Sequence, residues 1–346
     1  MPAWVSRSTL CAALALVQTA VLAQVPPAPP PAAAVPTARE RAADLVPPDP
    51  GAPAPSRWAA DLERLDEDVR LRLLTPNDPR GNYIRGALDK TDIASQVAHF
   101  AAARASAPQE KLYLAALAGA CLIPTQPTLP DCDAVDRLAD WARRDEDNGV
   151  PAILLANRAR QHGDIDAMVA DLREAAGKPR FDEYWGRGVL AFWDYFRNVS
   201  LPFDPAAKAV AALTYATEQP VTWPAALQVM CAGALGRGNE AVRAACADLG
   251  SALAARASTW AGRLTGVAVA YRNVPPAQQA RIESSRSEAS RLRARCDDAR
   301  RGRFDGLESA DAEKRTHDLA LGDAWIRNQA EVGEIGACER LLRERS

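Results

Sequence analysis

Apolar residues recur every three or four positions along most of the chain that follows residue 56. This spacing places the apolar side chains on one face of an α-helix. The first such segment begins at Ser56, a good helix N-cap, and its apolar positions run from Trp58 to Leu73. Pro76 lies just beyond, where a helix is expected to end. The pattern therefore predicts a first helix between Ser56 and Pro76.

The helical pattern continues to the end of the chain. Asp92 is the predicted cap of the next helix, and another helix runs from about Glu110 to Leu122. Further helices are predicted at about 131–144, 151–161, 164–176, 182–198, 205–217, 224–235, 239–256, 277–302 and, with breaks, 310–343. No segment alternates apolar and polar residues as a β-strand would. Short connections that carry Gly or Pro favour an all-α fold, which we interpret as an α-solenoid of antiparallel helical hairpins.

Residues 151–176 contain the clearest helical hairpin. Gly163 is expected to end its first helix, and Asp164 is expected to cap its second. The hairpin resembles one tetratricopeptide repeat, a pattern of about 34 residues. The matching positions are Leu155, Ala156, Ala159, Gly163, Asp164 and Ala175. A weaker copy follows at 224–250. The resemblance implies a tetratricopeptide-like helical stack, and the chain also resembles uncharacterised exported helical-repeat proteins of Gram-negative bacteria.

The N-terminal residues have the composition of an export signal. Arg7 supplies a positive charge, a mostly apolar run follows from Leu10 to Leu22, and Val21 and Ala23 are small residues at the two positions that a signal peptidase reads. We predict a signal peptide at 1–23, cleaved after Ala23, and a periplasmic or secreted protein. A retained segment that anchors the chain in the membrane is the alternative.

A proline-rich segment separates the predicted signal from the predicted helices. Residues 24–56 hold 11 of the 26 prolines of the chain. Proline fixes φ and removes a hydrogen-bond donor, so we predict a disordered Pro/Ala-rich linker over 24–56. The helical repeat domain is then expected to occupy 57–346.

Six cysteines remain beyond the predicted signal, and an even number in an exported chain favours disulfides. Cys231 and Cys246 stand at similar distances on either side of Gly238, which places them opposite each other in a helical hairpin. The predicted disulfides are Cys121–Cys132, Cys231–Cys246 and Cys296–Cys338. Other pairings, a zinc site or a redox pair are the alternatives. The chain has no C-x-x-C motif and three histidines, so we predict no metal site.

Aromatic residues concentrate in one short region. Residues 181–203 hold 8 of the 20 aromatic residues of the chain, too many for one core-facing side of a helix. One interpretation is an aromatic groove for a peptide or a glycan, and the other is a helix buried on two sides. The predicted binding residues are Tyr184, Trp185, Trp193 and Tyr195.

The balance of charges limits the classes of partner. The 42 basic and 44 acidic residues give no general reason to bind nucleic acid, so we predict no nucleic-acid partner. No apolar run beyond the predicted signal is long enough to span a bilayer, so we predict no membrane insertion after cleavage. No cofactor-binding motif occurs, and no cofactor is predicted.

Catalytic motifs are also missing from the sequence. It has no G-x-S-x-G, no H-E-x-x-H and no phosphate-binding loop. We therefore predict a non-catalytic binding or scaffold protein whose helical groove holds a peptide or protein partner. A cell-envelope hydrolase that cleaves glycan with carboxylates is the first alternative. A purely structural envelope protein is the second.

Overall fold

The computed structural model describes residues 78–89, 92–122, 129–133, 136–198, 203–217, 223–232, 238–300 and 305–344. The predicted signal peptide, the predicted linker and the predicted helix after Ser56 lie outside these residues. The described residues form helices joined by short connections, and their only β-type pairing consists of two isolated bridges. The predicted all-α fold is confirmed.

The helices follow one another closely along the chain. They are α1 (Pro79–Leu88), α2 (Ile93–Ser106), α3 (Lys111–Ala120), α4 (Pro130–Asp133), α5 (Arg137–Arg144), α6 (Gly149–Gln161), α7 (Ile165–Gly177), α8 (Trp185–Asn198), α9 (Pro205–Thr217), α10 (Trp223–Ala232), α11 (Glu240–Arg256), α12 (Trp260–Asn273), α13 (Pro276–Arg300) and α14 (Ala312–Arg343). A 3₁₀ turn at Asp305–Glu308 precedes α14. Within the described ranges, no helix is both long enough and apolar enough to cross a membrane.

The turn between α6 and α7 forms as its residues predict. Gly163 has a φ of +76°, a conformation that favours glycine. The amide of Gly163 donates to the carbonyl of Arg160 at 3.0 Å, and the amide of Asp164 donates to that of Ala159 at 2.9 Å. These two bonds satisfy carbonyl groups at the end of α6. The Asp164 carboxylate then accepts from the Ala167 amide at 3.0 Å and caps α7.

Two helices, α1 and α12, were not predicted. Each holds two glycines, which lower the helix propensity of a segment. The glycine of α12 at Gly266 is required by packing, because a Cβ atom there would lie 2.5 Å from the amide nitrogen of Ala254. Gly250 of α11 faces it, and a Cβ atom at Gly250 would lie 2.5 Å from the amide nitrogen of Ala270. The backbones of α11 and α12 therefore approach each other at two glycines.

The order of packing follows the sequence only in part. Helices α1, α2 and α3 pack in succession, α5 follows against α3, and α6 and α7 complete the run. Helix α7 then packs against α11, whereas α8 packs against α9, α14 and α1. A one-dimensional stack brings together only neighbouring repeats. The pairing of α8 with α14 is a contact of a different kind, because it joins distant parts of the chain.

A close backbone approach at one glycine and a group of polar contacts hold α8 against α14. A Cβ atom at Gly186 would lie 2.4 Å from the carbonyl oxygen of Gln329, so the two helices are nearly in backbone contact. The Trp193 indole donates to the Asp323 carboxylate at 3.0 Å, and Arg197 donates to the same oxygen at 2.7 Å. Trp193 is fully buried at this junction.

The cysteines pair as predicted. The Cα atoms of Cys121 and Cys132 are 5.5 Å apart, and those of Cys231 and Cys246 are 5.6 Å apart. Cys296 and Cys338 complete the set, with Cα atoms 5.6 Å apart. These distances are typical of disulfides. The bonds join α3 to α4, α10 to α11, and α13 to α14.

Connections between the helices pair with one another through backbone hydrogen bonds. The Gly149 amide donates to the Arg180 carbonyl at 2.9 Å, and the Ser258 amide donates to the Phe181 carbonyl at 3.2 Å. The Ile335 amide extends the series by donating to the Ser258 carbonyl at 3.1 Å, where Gly333 kinks α14 with a φ of +77°. This series fixes the segment that leads into α8.

Candidate functional site

A cavity of about 170 Å³ lies among the helices beside the start of α8. Its walls come from α1, α2, α3, α5, α6, α8, α9 and α10, together with the residues before α8. Six aromatic residues form much of the lining: Tyr83, Phe100, Trp141, Tyr184, Trp185 and Trp223. Small and aliphatic residues supply most of the remainder, and Gln96 and Glu183 are the polar aliphatic residues of the wall.

The segment before α8 holds Tyr184 in an unusual conformation. Tyr184 has a φ of +62°, which is uncommon for a residue with a bulky side chain. Its amide donates to the Asp182 carboxylate at 2.8 Å, and its carbonyl accepts from the Gly188 amide at 2.9 Å to begin α8. Asn148 in turn accepts from the Asp182 amide at 3.0 Å. Backbone strain of this kind persists where the surrounding structure holds it, and it is common at functional sites.

The buried carboxylate of Asp145 organises one side of the cavity. Five side chains of the described residues donate to it: Lys111 at 2.7 Å, Trp141 at 3.2 Å, Asn148 at 2.8 Å, Arg180 and the Tyr184 hydroxyl. Burial alone would raise the pKa of Asp145, but these hydrogen bonds and the charge of Arg180 outweigh it and lower the pKa. Asp145 therefore stays ionised and locks the Tyr184 ring in place.

The carboxyl group of Glu183 has a different environment on the other side of Tyr184. One oxygen accepts from the Trp223 indole at 2.7 Å, and the other accepts from the Thr259 hydroxyl at 3.2 Å. Burial of the carboxyl, together with the negative charges of Asp182 and Glu334, raises the pKa of Glu183 to about 7, although the bonds from Trp223 and Thr259 lower it. No Lys or Arg of the described residues forms an ion pair with Glu183.

The polar groups of the aromatic lining are mostly occupied within the protein. Trp141 and Tyr184 donate to Asp145, and Trp223 donates to Glu183. The Tyr83 hydroxyl forms no hydrogen bond with another described residue, and it lies 2.8 Å from where a Cβ atom at Gly188 would be. The cavity therefore offers ring surface, one carboxyl group, the Gln96 side-chain amide, the Trp185 indole and one phenol hydroxyl.

The predicted binding residues divide between two places. Tyr184 and Trp185 line the cavity, where Tyr184 is buried and Trp185 is partly exposed. Trp193 is buried against α14, and its indole is bonded to Asp323. Tyr195 is partly exposed and packs edge-to-face on Phe196, with ring centroids 5.9 Å apart, outside the cavity lining.

Sequence reasoning missed most of the wall. Tyr83, Trp141, Glu183 and Trp223 come from separate segments that only the tertiary fold brings together. Glu183 precedes Tyr184 in the sequence, but no local pattern indicates that its carboxyl group is desolvated. The one available signal was its place beside the aromatic surplus.

Metal chemistry has no visible centre in this region. Among the residues that the structure describes, no group of three or more His, Cys, Asp or Glu side chains is placed to hold a metal ion.

No protein-family model matches the chain, and no match was found among curated proteins or among solved structures. The functional conclusion therefore rests on the cavity.

Proposed function

We propose that the protein is an exported, non-catalytic binding protein that captures an apolar group of a peptide or protein partner in the aromatic cavity. The observation that carries this proposal is the cavity of about 170 Å³ with six aromatic residues in its wall. Binding sites are commonly concave and mostly apolar, with a few polar groups that orient the ligand. Tyr184 and Trp185 are the predicted binding residues that this proposal retains.

The rigidity of the wall supports a binding role. Tyr184 is held by its amide, its carbonyl and its hydroxyl, and Asp145 is held by donors from several segments. A site whose side chains are already fixed loses little conformational entropy when a ligand binds. The sequential packing from α1 to α7, with α4 set aside, is consistent with tetratricopeptide-like stacking, which stays a prediction.

The proposed compartment is the periplasm or the cell exterior. The three disulfides fit an oxidising compartment. The signal peptide and its cleavage after Ala23 belong to the proposal as well. Peptide mass mapping of the secreted protein would locate the mature N-terminus, and an intact Met1 would overturn this part of the proposal.

A cavity-filling substitution tests the binding role. Gly119 lines the cavity, and a Cβ atom there would meet no atom within 4 Å. We expect Gly119→Leu to weaken binding of a capped tripeptide with a central Phe by about tenfold or more, as read from NMR chemical shifts. Gly177→Leu is the matched control, because Gly177 is also unobstructed, exposed, and distant from the cavity lining.

The outcomes of that titration are distinct. Binding that Gly119→Leu weakens and Gly177→Leu leaves intact supports the proposal. If no capped tripeptide with a central Phe, Leu, Trp or Lys perturbs resonances of the cavity residues, the binding role is wrong and a purely structural role is favoured.

A carboxylate-based envelope hydrolase is the second candidate, and Glu183 is the observation that favours it. A carboxyl group with a pKa of about 7 can act as a general acid at neutral pH. Glycoside hydrolysis commonly uses two carboxyl groups, whereas Glu183 is the single acid among the described residues of the cavity lining. Release of glycan fragments from cell-wall material by the wild-type protein, and its loss in Glu183→Gln, would favour this candidate.

A further inference from the structure

The cavity combines aromatic rings with a carboxyl group that has no basic partner. Glu183 is the one ionisable aliphatic residue among the described lining residues, which include no Lys, Arg or His. Both of its carboxyl oxygens accept from neutral donors, Trp223 and Thr259. We infer that the short apolar chain or ring that the cavity accepts carries an ammonium group. This inference rests on the proposed function, because it identifies the ligand of the same cavity.

The aromatic walls suit a cation. The faces of Trp and Tyr rings carry negative potential, and rings arranged as a cage are known to hold ammonium groups. The Trp141 and Trp223 indoles each donate their N–H to a carboxylate. A hydrogen bond from an indole N–H to a negative acceptor polarises the ring and makes its face more attractive to a cation.

Two arginines of the protein already form cation–π contacts with the ring of Tyr184. The guanidinium carbons of Arg187 and Arg180 lie 5.5 and 5.8 Å from the centroid of its ring. Both distances are within the range of cation–π contacts. Among the described residues, Trp193 is the one tryptophan with a cation–π contact, which comes from Arg197. The tryptophans of the cavity lining have none with the described residues. Trp141, Trp185 and Trp223 are therefore the rings left for a ligand.

Other classes of ligand fit the wall less well. An anion needs several hydrogen-bond donors, but three of the five indole and phenol donors of the lining, those of Trp141, Tyr184 and Trp223, are already bonded to carboxyl groups. A sugar needs many donors and acceptors, and the Tyr83 hydroxyl and the Trp185 indole are the aromatic polar groups of the lining without a bond to another described residue. An apolar cavity of about 150 Å³ accepts benzene. A cavity of about 170 Å³ therefore suits one ring or a short chain that ends in the cation.

The charges around Glu183 make the binding dependent on pH. Asp182 on the same segment and Glu334 on α14 add negative potential, while Trp223 of α10 and Thr259 before α12 add neutral donors. A bound cation favours the ionised carboxyl group, so binding below pH 7 must first remove a proton from Glu183. We expect affinity for a cation to fall by about tenfold for each pH unit below 7.

Calorimetric titrations of the oxidised protein test the inference. The probes are benzylammonium and benzyl alcohol, which share a ring and differ in charge, together with tetramethylammonium as a permanent cation. We expect benzylammonium to bind at least about tenfold more tightly than benzyl alcohol at pH 8, and the preference to shrink at pH 5.5. At pH 6, tetramethylammonium binding should release about one proton, measured from the heats in two buffers of different ionisation enthalpy.

A variant and a second pair of probes complete the design. Glu183→Gln should abolish both the preference for the cation and the proton release, with circular dichroism and thermal unfolding as the check on its fold. A capped tripeptide with a central Lys and the same peptide with acetyl-lysine separate a peptide amine from a free amine. If the Lys peptide binds more tightly than benzylammonium, the ammonium group that the cavity holds comes from a peptide and not from a free amine.

The two proposals fail in different ways. Equal affinity for benzylammonium and benzyl alcohol at pH 8, or no proton release, overturns the cation inference but leaves a binding cavity. If neither ring probe nor any peptide binds, the proposed function itself is wrong. Proton release by the wild-type protein does not depend on whether Glu183→Gln folds.

Discussion

At the scale of the residue, two carboxyl groups near Tyr184, one buried and one partly buried, behave in opposite ways. Asp145 accepts from Lys111 and Arg180 as well as from neutral donors, and its pKa is lowered. Among the described residues, Glu183 accepts from Trp223 and Thr259 alone, and burial raises its pKa to about 7. Burial raises the pKa of both groups, so the presence or absence of basic partners decides the direction of the net shift.

The raised pKa of Glu183 predicts a pH dependence of stability. The folded state keeps a proton that the unfolded chain releases above its ordinary pKa of 4.5, so the free energy of unfolding should decrease as pH rises from about 4.5 to 7. The difference between the two pKa values corresponds to a decrease of about 3 kcal/mol in the free energy of unfolding across this pH range. Denaturant unfolding at a series of pH values measures it.

Glu183→Gln is the comparison for that series. An amide can accept from the Trp223 indole and donate to Thr259, but it does not titrate. The slope between pH 4.5 and 7 should therefore flatten in the variant. An identical slope in both proteins would show that Glu183 has an ordinary pKa.

The sequence revealed only part of the site at this scale. The aromatic surplus pointed to Tyr184 and Trp185, because a helix with so many rings cannot bury them all on one side. Glu183 meets Trp223 across 40 positions and Thr259 across 76. Desolvation of a carboxyl group depends on such distant neighbours, and no local pattern encodes it.

At the scale of the element, helix boundaries were easier to predict than helix packing. Capping residues such as Asp92 and Asp164 mark helix starts through local hydrogen bonds, and both lie where they were predicted. Helix α12 was missed because Gly262 and Gly266 lower its propensity, while its stability comes from contact with α11. Tertiary contact overrides propensity at such positions.

The same substitution should have opposite effects at two glycines. Gly250→Ala places a methyl carbon 2.5 Å from the Ala270 amide nitrogen, so we expect a loss of about 1–3 kcal/mol in the free energy of unfolding. Gly177→Ala meets no atom within 4 Å at the end of α7, and we expect a small gain of about 0.5 kcal/mol. Denaturant unfolding of both variants gives the comparison, and equal effects would contradict the close approach of α11 and α12.

At the scale of the whole molecule, each of the three disulfides links two helices that are consecutive in the described chain. The Cys231–Cys246 bond closes a loop of 15 residues between α10 and α11, and the Cys296–Cys338 bond closes one of 42 residues between α13 and α14. The Cys231–Cys246 pairing was predictable because a hairpin fixes which positions face each other, whereas Cys296 and Cys338 were paired as the two cysteines that remained. The contact of α8 with α14 was not predictable, because it depends on the packing of the entire chain.

Removal of these bonds should be costly. Loop closure predicts a loss of about 3 kcal/mol for the double substitution of Cys231 and Cys246 by Ala, and about 4 kcal/mol for Cys296 and Cys338. Guanidinium unfolding of each variant against the oxidised protein measures the loss. The reduced wild-type protein should be less stable than either variant, and a variant that unfolds at the wild-type midpoint would contradict a stabilising role for that bond.

The packing of α8 against α14 also determines when the chain can finish folding. Trp193 meets Asp323 across 130 positions, and a ribosome needs on the order of ten seconds to add that many residues. During this interval the face of α8 that holds Gly186 and Trp193 has no partner helix. A chain interrupted before Asp323 never covers that face, so nascent and truncated forms should be the ones that proteases and holding chaperones recognise.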